Sequence, residues 1–392
     1  MLPETLSNNL CSLNPFEDKF TFTVEMLIDK SGNIINYSIY KSVMKSFFRA
    51  TYEEIGKILA DNSEDLRKKY EPILPEIFNM LELMEILRKK RFEKGSIDFN
   101  LPEVEIEFDE NGKVAEIKKV VRNKAHILIE EFMLLANETV ANHLASKDIP
   151  LLYRVHEPPD MEKLENISNF LAKFGIYSKL NTPKDIQKVL NEVSDKPFEK
   201  LVNYLFLRSM KQAVYQPDNI GHYALAKDNY THFTSPIRRY PDLINHRILR
   251  RAINKKITPG YIEKLHKKLP EIGIQCSTKE RNAADAEREI VDIFKLQYME
   301  NKVGLIFDGT ITGVNSFGFF VEIDDILVEG LVPMRNLTDD YYTYVETDYL
   351  IRGKRRGNFF RLGDRVKVEV EKVDTLKQHL DFIVIEKLND NK

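Results

Sequence analysis

Cysteine is scarce in this sequence: two residues in 392. Cys11 and Cys276 stand far apart and fit no ligand spacing, so neither a disulfide framework nor a thiolate metal site is read here. Two free thiols suit a reducing cytoplasm. No apolar run is long enough to span a bilayer, so no membrane partner is expected. Met1-Leu2-Pro3-Glu4 holds no basic stretch followed by an apolar core, so no signal peptide is read. An excess of one charge is missing too. Lys and Arg number 58 against 61 Asp and Glu, a net charge of −3, so any binding to nucleic acid must come from local basic patches. What is present is 43% hydrophobic and 30% charged residues, enough for a buried core, a soluble surface and two or three domains.

The chain starts as coil in LPETLSNNLCSLNP, then alternates apolar and polar residues in KFTFTVEMLID. Ser31-Gly32-Asn33 signals a turn, and IINYSIYKSVM returns as a second strand. So exposed a strand pair is marginal without more sheet beside it, and a chain that opens this way looks cut from something larger. Residues 51–95 have helical spacing, with a capping-box pattern at Thr51 and Glu54. GSIDF breaks the helices, and its Phe99 reads by itself as core. EVEIEFDENGKVAEIKKV is a hairpin around Asn111-Gly112. AHILIEEFMLLANETVANHLA predicts a long amphipathic helix with Ile129, Met133, Ala136, Val140 and Leu144 as its apolar stripe. Glu131 and Asn137 flank that stripe, either looking into a cavity or lying on a solvated face. LLYRVHEPPD places Arg154 and His156 on an extended strand. Helix, turn and helix follow to Gln216, the last helix running from Leu201 to Tyr215. Beyond the centre of the chain, Thr258-Pro259 opens a helix. Ser277 to Lys302 is read as another, with Ala283, Ala286, Ile290 and Ile293 inward and Glu287 beside them.

The centre is His232-Phe233-Thr234-Ser235-Pro236-Ile237-Arg238-Arg239-Tyr240-Pro241-Asp242. Pro241 can open a helix, and Asp242 then falls in its first turn, where the dipole favours an anion. The helix carries Ile244, Ile248, Leu249, Ala252 and Ile253 on one side. Arg238 and Arg239 sit at the positive end of that helix, bracketed by two prolines that stiffen the backbone. Something negative must stand nearby, either a protein carboxylate or a bound phosphate, whose oxygens suit the guanidinium fork. A surface turn with solvated arginines is the other reading. After residue 302, short β-rich runs with glycine turns suggest about five strands in an OB-fold barrel.

YALAKDNYTHFTSPIRRYPDLINHRIL resembles the signature of the ribonuclease II and ribonuclease R exoribonuclease family. The resemblance covers essentially the whole chain. It implies an α+β architecture, with residues 1–302 as the helix-rich rear of an RNB-type catalytic domain. Residues 303–386 would form a five-stranded OB-fold of the kind found in a ribosomal protein. The implied activity is 3′-to-5′ hydrolysis of single-stranded RNA to nucleoside 5′-monophosphates with Mg2+. RNA, rather than DNA or a membrane, is the implied partner. The family's magnesium-binding aspartates lie upstream of the matched segment. The chain by itself is therefore expected to do little or no catalysis, and a separate N-terminal half is an expected partner. A non-catalytic RNA-binding protein is the alternative.

The resemblance also implies roles for particular residues. Arg238 and Arg239 would neutralise charge on the phosphate, and Glu287 would shape the active site. His232, Ser235 and Tyr240 would position the terminal nucleotide, Phe99 would clamp bases, and Glu131 and Asn137 would line the site. In the barrel, Phe317 and Phe320 would stack on bases, at about 1–3 kcal/mol per base. That needs a bulge or bend at Gly318, because strict alternation puts the two rings on opposite faces. Phe319 is then structural. Arg355 belongs to a basic loop with Arg352, Lys354, Arg356 and Arg361. Pro333 departs from the pattern, since many members carry a histidine there, and no lysine-rich tail follows.

Overall fold

The computed structural model describes residues 2–61, 63–99, 103–120, 122–194, 196, 198–345 and 350–388. Two strands come first, β1 (Asp18–Ile28) and β2 (Ile34–Lys45), followed by helices α1 (Tyr52–Asp61), α2 (Glu64–Lys69) and α3 (Leu74–Lys94). A second hairpin, β3 (Glu103–Phe108) and β4 (Val114–Val120), leads into α4 (Lys124–Ala145) and the short strand β5 (Tyr153–Val155). Helices α5 (Met161–Ala172), α6 (Pro183–Val193) and α7 (Glu199–Ser209) precede β6 (Val214–Gln216), α8 (Tyr240–Ile253) and α9 (Pro259–Glu300). The rest is β: β7 (Ile306–Asn315), β8 (Gly318–Ile323), β9 (Glu329–Pro333), β10 (Tyr342–Val345), β11 (Leu350–Gly353), β12 (Phe359–Arg361), β13 (Arg365–Asp374) and β14 (His379–Lys387).

Both early hairpins form where alternation places them, and the same device closes each turn. Asp29 accepts the N–H groups of Ser31 and Asn33, both at 2.8 Å. Asp109 accepts those of Asn111 (2.9 Å) and Lys113 (2.8 Å). Among the described residues the first hairpin gains no further sheet. It remains two-stranded and lays Phe22, Val24 and Ile39 on a core built from α4, β5, α8 and the start of α9. Beyond that core its far end stays bare, with the cross-strand pair Phe20 (93% exposed) and Val43 open to solvent.

Three expectations about helices change. The buried residues of α4 are Ala125, Leu128, Glu131, Leu134, Asn137, Thr139, Val140, Ala141 and Leu144, so Val140 and Leu144 lie inside as expected while Ile129, Met133 and Ala136 are only partly buried. Glu131 and Asn137 therefore lie on the buried stripe, not beside it. The helix is packed on several sides, so its apolar positions do not single out one face. The helix ending at Ser209 is shorter than predicted, and Tyr215 stands in β6, paired with Arg154 of β5. The two last helices are one: α9 runs unbroken over 42 residues, with Pro270 inside it. Leu265, Leu269, Gly273 and Ser277 are buried near its start, and Leu296 and Met299 near its end. Residues 281–290 between them are exposed on every side, so Ala283, Ala286 and Ile290 do not face inward. A helix that bridges two packed bodies needs no apolar stripe along the span between them.

The barrel closes in the order β7–β8–β9–β14–β13, antiparallel except at the single β9/β14 contact. Its core of Ile311, Phe319, Val321, Val332, Val366, Val368 and Phe382 is continuous with Phe170 of α5, Leu201 of α7 and Leu296 of α9. This interior seats the barrel on the helical part. A three-stranded sheet, β10–β11–β12, is inserted beside the five barrel strands and was not foreseen.

Candidate functional site

The stretch from Thr231 to Arg239 has no regular structure, so its polar backbone groups need partners from outside the segment. Asn245, fully buried on α8, holds the entry. Its Nδ2 donates to Thr231 Oγ1 (2.7 Å), Leu152 O (3.0 Å) and His232 O (3.2 Å), and its Oδ1 accepts from the Leu152 N–H (3.0 Å). Asn137 of α4 holds the middle. Its Oδ1 accepts from the N–H groups of Phe233 (2.9 Å) and Thr234 (3.3 Å), and its Nδ2 donates to the Tyr230 hydroxyl (3.0 Å). Asp242, also fully buried, holds the end. Its Oδ1 accepts from the Ser235 N–H and from Arg239 Nη2, each at 2.8 Å. His246 stacks on Phe233, with ring centres 4.1 Å apart, and bonds the Phe233 carbonyl through Nε2 at 2.8 Å.

This geometry separates the two arginines. Arg239 is the cap residue of α8, three positions before Asp242, and its guanidinium is taken by that carboxylate. Arg238 lies one residue earlier in the turn and is exposed, with no ion-pair or side-chain hydrogen-bond partner among the described residues. The expectation that both guanidinium groups face one phosphate is corrected to this extent: a protein carboxylate already occupies one of them. Ser235 is partly buried, with its amide committed to Asp242, and Tyr240 is half exposed in the first turn of α8.

His232 is wedged between two tyrosines. Its Nδ1 lies 2.8 Å from the Tyr215 hydroxyl, and its ring meets Tyr215 and Tyr230 edge-on at 5.6 and 5.7 Å. Burial, with Arg239 and Arg154 nearby, pushes its pKa down to about 2. His222 behind it is pushed down to about 3 by burial and by His156. Both rings are thus neutral near pH 7. The Arg154 guanidinium lies 4.5 Å from the centre of the Tyr215 ring and bonds Glu280 of α9 at 2.5 Å. Glu287 stands two turns further along that helix, exposed, with no ion-pair partner among the described residues.

Glu131 lies elsewhere. Arg91 grips it through Nε (3.0 and 3.2 Å) and Nη2 (2.6 Å), with both side chains at most 4% exposed. Glu131 also lines a cleft of about 280 Å³ between the β1–β2 turn, α3 and α4, with Lys90, Lys94, Glu138 and Lys227. Arg91 reaches Ser96 (2.5 Å) as well, while Arg88 (2.9 Å) and Arg122 (2.9 Å) bind Asp98. The residues before Phe99 are therefore pinned. Phe99 itself is partly buried against the core of α5, α6 and α7.

On the barrel, Phe317 is 54% exposed in the β7–β8 turn and Phe320 is partly buried on β8, their ring centres 6.1 Å apart. Gly318, at φ +151°, makes the bend, since a Cβ there would lie 2.2 Å from Val332 O. A register shift lies further along the pair, between Ile311 and Gly313 of β7, where they face Val321 and Phe320. Phe319 is fully buried on Phe360. Arg355 is exposed over the Tyr341 ring at 4.8 Å, and its N–H is held by Asp340 at 3.0 Å.

Sequence reasoning missed Arg91, Asn245 and the pairing role of Asp242. Asn245 lies one position from the apolar Ile244 and three from Ile248, so a polar residue inside the α8 stripe was the available signal. Among the described residues, no three His, Cys, Asp or Glu side chains are grouped so as to hold a metal ion. The donor set among the described residues does not fit the magnesium that the resemblance implies. No helix among the described residues is long and apolar enough to cross a membrane.

Comparisons with known proteins agree with this architecture. The RNB domain model matches residues 1–255 and the S1 RNA binding domain model residues 300–383. Ribonuclease R of Aquifex aeolicus is 48% identical over 397 residues, covering 100% of this chain and 56% of the relative. That of Thermotoga maritima is 44% identical over 392 residues, covering 98% and 55%. The chain thus spans about half the length of these relatives. Among solved structures, Mycoplasma genitalium RNase R in complex with ribose methylated single-stranded RNA superposes with a TM-score of 0.90 at 29% identity, covering 98% of this chain and 60% of that one. The chain belongs to the ribonuclease R/RNB family.

Proposed function

We propose that this chain holds and advances single-stranded RNA in a 3′-to-5′ exoribonuclease of the ribonuclease R type, which releases nucleoside 5′-monophosphates in the cytoplasm. In this reading residues 1–302 are the rear of the catalytic domain and residues 303–386 the RNA-binding barrel. The observation that carries it is Arg238: a guanidinium with no ion-pair partner among the described residues, on a loop that Asn137, Asn245 and Asp242 fix in place. A phosphate that gains charge during in-line displacement is stabilised by a cation already positioned for it. Arg239 supports that cation from behind, and Glu287 faces the reaction from α9. Neutral His232, with Ser235 and Tyr240, shapes the berth of the terminal nucleotide. Phe99 closes on bases, Asn137 acts through the loop it fixes, Glu131 lines the cleft beside Arg91, and Phe317, Phe320 and Arg355 guide the strand across the barrel.

The described side chains do not supply the cation site that phosphodiester hydrolysis in this family calls for. We assign this chain the RNA-holding and charge-neutralising share of the reaction, and the Mg2+ ligands to a separate N-terminal half. The open apolar end of the first hairpin, with Phe16, Phe20, Val43 and Phe47 exposed, supports such a partner. A decay assay on single-stranded RNA with Mg2+, with and without an added N-terminal half, tests the reading. The chain alone is expected to bind RNA in a salt-dependent way and release little nucleotide, and the mixture to release monophosphates from the 3′ end. Binding without decay in both samples would favour an RNA-binding protein that does not cut. Absence of salt-dependent binding would sink the proposal.

A further inference from the structure

We infer that Asp242 is a positioning residue that divides the labour of the arginine pair, keeping Arg239 as an internal strut and leaving Arg238 as the guanidinium that meets phosphate. The inference rests on the reading of this loop as an RNA-holding site. Asp242 is the one acidic residue in the first turn of α8 and is fully buried. One oxygen, Oδ1, serves two tasks at once. It fixes the Ser235 amide at the start of the Ser235–Arg239 turn and the Arg239 guanidinium at its end. The turn is thereby closed at both ends by a single group, and its own backbone bond, Arg239 N–H to Ser235 O at 3.0 Å, lies inside that closure. Arg238, between them, points outward with no carboxylate paired to it among the described residues.

The polar atoms left over support the same division. Asp242 Oδ2, Arg239 Nε and Thr234 Oγ1 are buried without hydrogen-bond partners among the described residues. Stability alone does not explain retaining a buried ion pair with unmet hydrogen-bonding capacity, because such a pair is often no better than apolar packing. It does set a geometry: Arg239 must lie along the helix start, toward Asp242, and cannot swing to the side where Arg238 emerges. The cost of burying this pair is understandable if what matters is where the neighbouring guanidinium points.

Two measurements on the full chain test this. The first is the affinity for a fluorescein-labelled single-stranded oligoadenylate over a salt series. Each phosphate contact on a single strand contributes a slope of about 0.7 in log affinity against log salt. Arg238→Gln should flatten the slope by about that amount, whereas Arg239→Gln should leave it unchanged. Asp242→Asn keeps an oxygen that can accept from the Ser235 amide but removes the negative charge that holds the Arg239 guanidinium in place; with that hold weakened, Arg239 should reach phosphate and steepen the slope by up to about 0.7. The double variant Asp242→Asn/Arg239→Gln should return to the original slope. A merely structural Asp242 would instead give weaker binding in Asp242→Asn with no steepening. Equal flattening in the two arginine variants would overturn the inference, and that comparison stands even if Asp242→Asn does not fold. The second measurement needs no RNA. Amide exchange at Ser235 and at residues 237–239 should speed up in Asp242→Ala, which removes the oxygen that holds the Ser235 amide, while residues 244–253 keep their protection. Unchanged exchange in the turn would overturn the positioning role. If the unmodified chain shows no salt-dependent binding, the RNA reading fails by itself, while the exchange data still decide whether Asp242 holds the turn.

Discussion

Before residue 303 the buried interior holds Arg91, Glu131, Asn137, His156, Asp242 and Asn245, whereas in the barrel Thr310 is the one buried polar side chain among the described residues. The barrel is built from apolar packing and carries its polar and aromatic groups, such as Phe317 and Arg355, on the outside. The helical part routes hydrogen bonds through its centre to fix a loop that has no regular structure. Buried polar networks are demanding, because each member left unpaired is costly. They give something apolar packing does not: a particular direction for each group they hold.

Breaking one contact in each region tests this contrast. Arg91→Ala leaves Glu131 buried without its partner and should cost about 3–5 kcal/mol in urea unfolding. Glu131→Gln should cost less, since the amide oxygen can still accept from Arg91. Phe319→Ala in the barrel should cost a similar ~3–5 kcal/mol through a cavity. Its damage, read by amide exchange, should centre on the barrel strands; equal loss around Thr231–Arg239 would show that the two regions unfold as one.

Acid should act on the helical part. His222 and His232 have folded pKa values near 3 and near 2, below the ordinary 6.5. The unfolded chain therefore takes up protons first. The stabilisation is complete above about pH 6.5 and is lost as pH falls toward the folded values, at about 1.4 kcal/mol per histidine per pH unit. Urea midpoints at pH 7, 6 and 5 check this, and His232→Gln should flatten the dependence. The smallest effect on stability is expected at Phe317. Phe317→Ala should change unfolding by less than about 0.5 kcal/mol, yet weaken single-stranded RNA binding by about 1–3 kcal/mol if the ring stacks on a base. Unchanged RNA affinity would remove Phe317 from the interface.

Local patterns were readable wherever burial had one side. The alternation of KFTFTVEMLID and the Asn111-Gly112 turn located both hairpins, and the short strands after residue 302 announced the barrel. Patterns failed where an element is packed from several directions or from none. The α4 helix has apolar residues on more than one side, so the choice of stripe through Ile129 and Met133 missed the buried line through Glu131 and Asn137. The α9 helix has no covered face at its middle, so Ala283 and Ile290 gave a false inward side. At the central loop, the sequence shows that Arg238 and Arg239 need a negative partner, and the spacing to Asp242 was visible. Which arginine takes that partner depends on the backbone path between Ser235 and Tyr240, a tertiary property.

The unbroken span of α9 gives the molecule a fixed angular phase. Its 42 residues measure about 63 Å at 1.5 Å per residue. One residue inserted within 281–290 would meet no side-chain packing where it enters. It would nevertheless rotate everything downstream by about 100° and advance it by about 1.5 Å. The barrel would then turn away from its seat on Phe170 and Leu201. An insertion of seven residues, close to two whole turns, would nearly restore the rotation but lift the barrel by about 10 Å. The bare middle of this rod therefore tolerates changes of residue far better than changes of length.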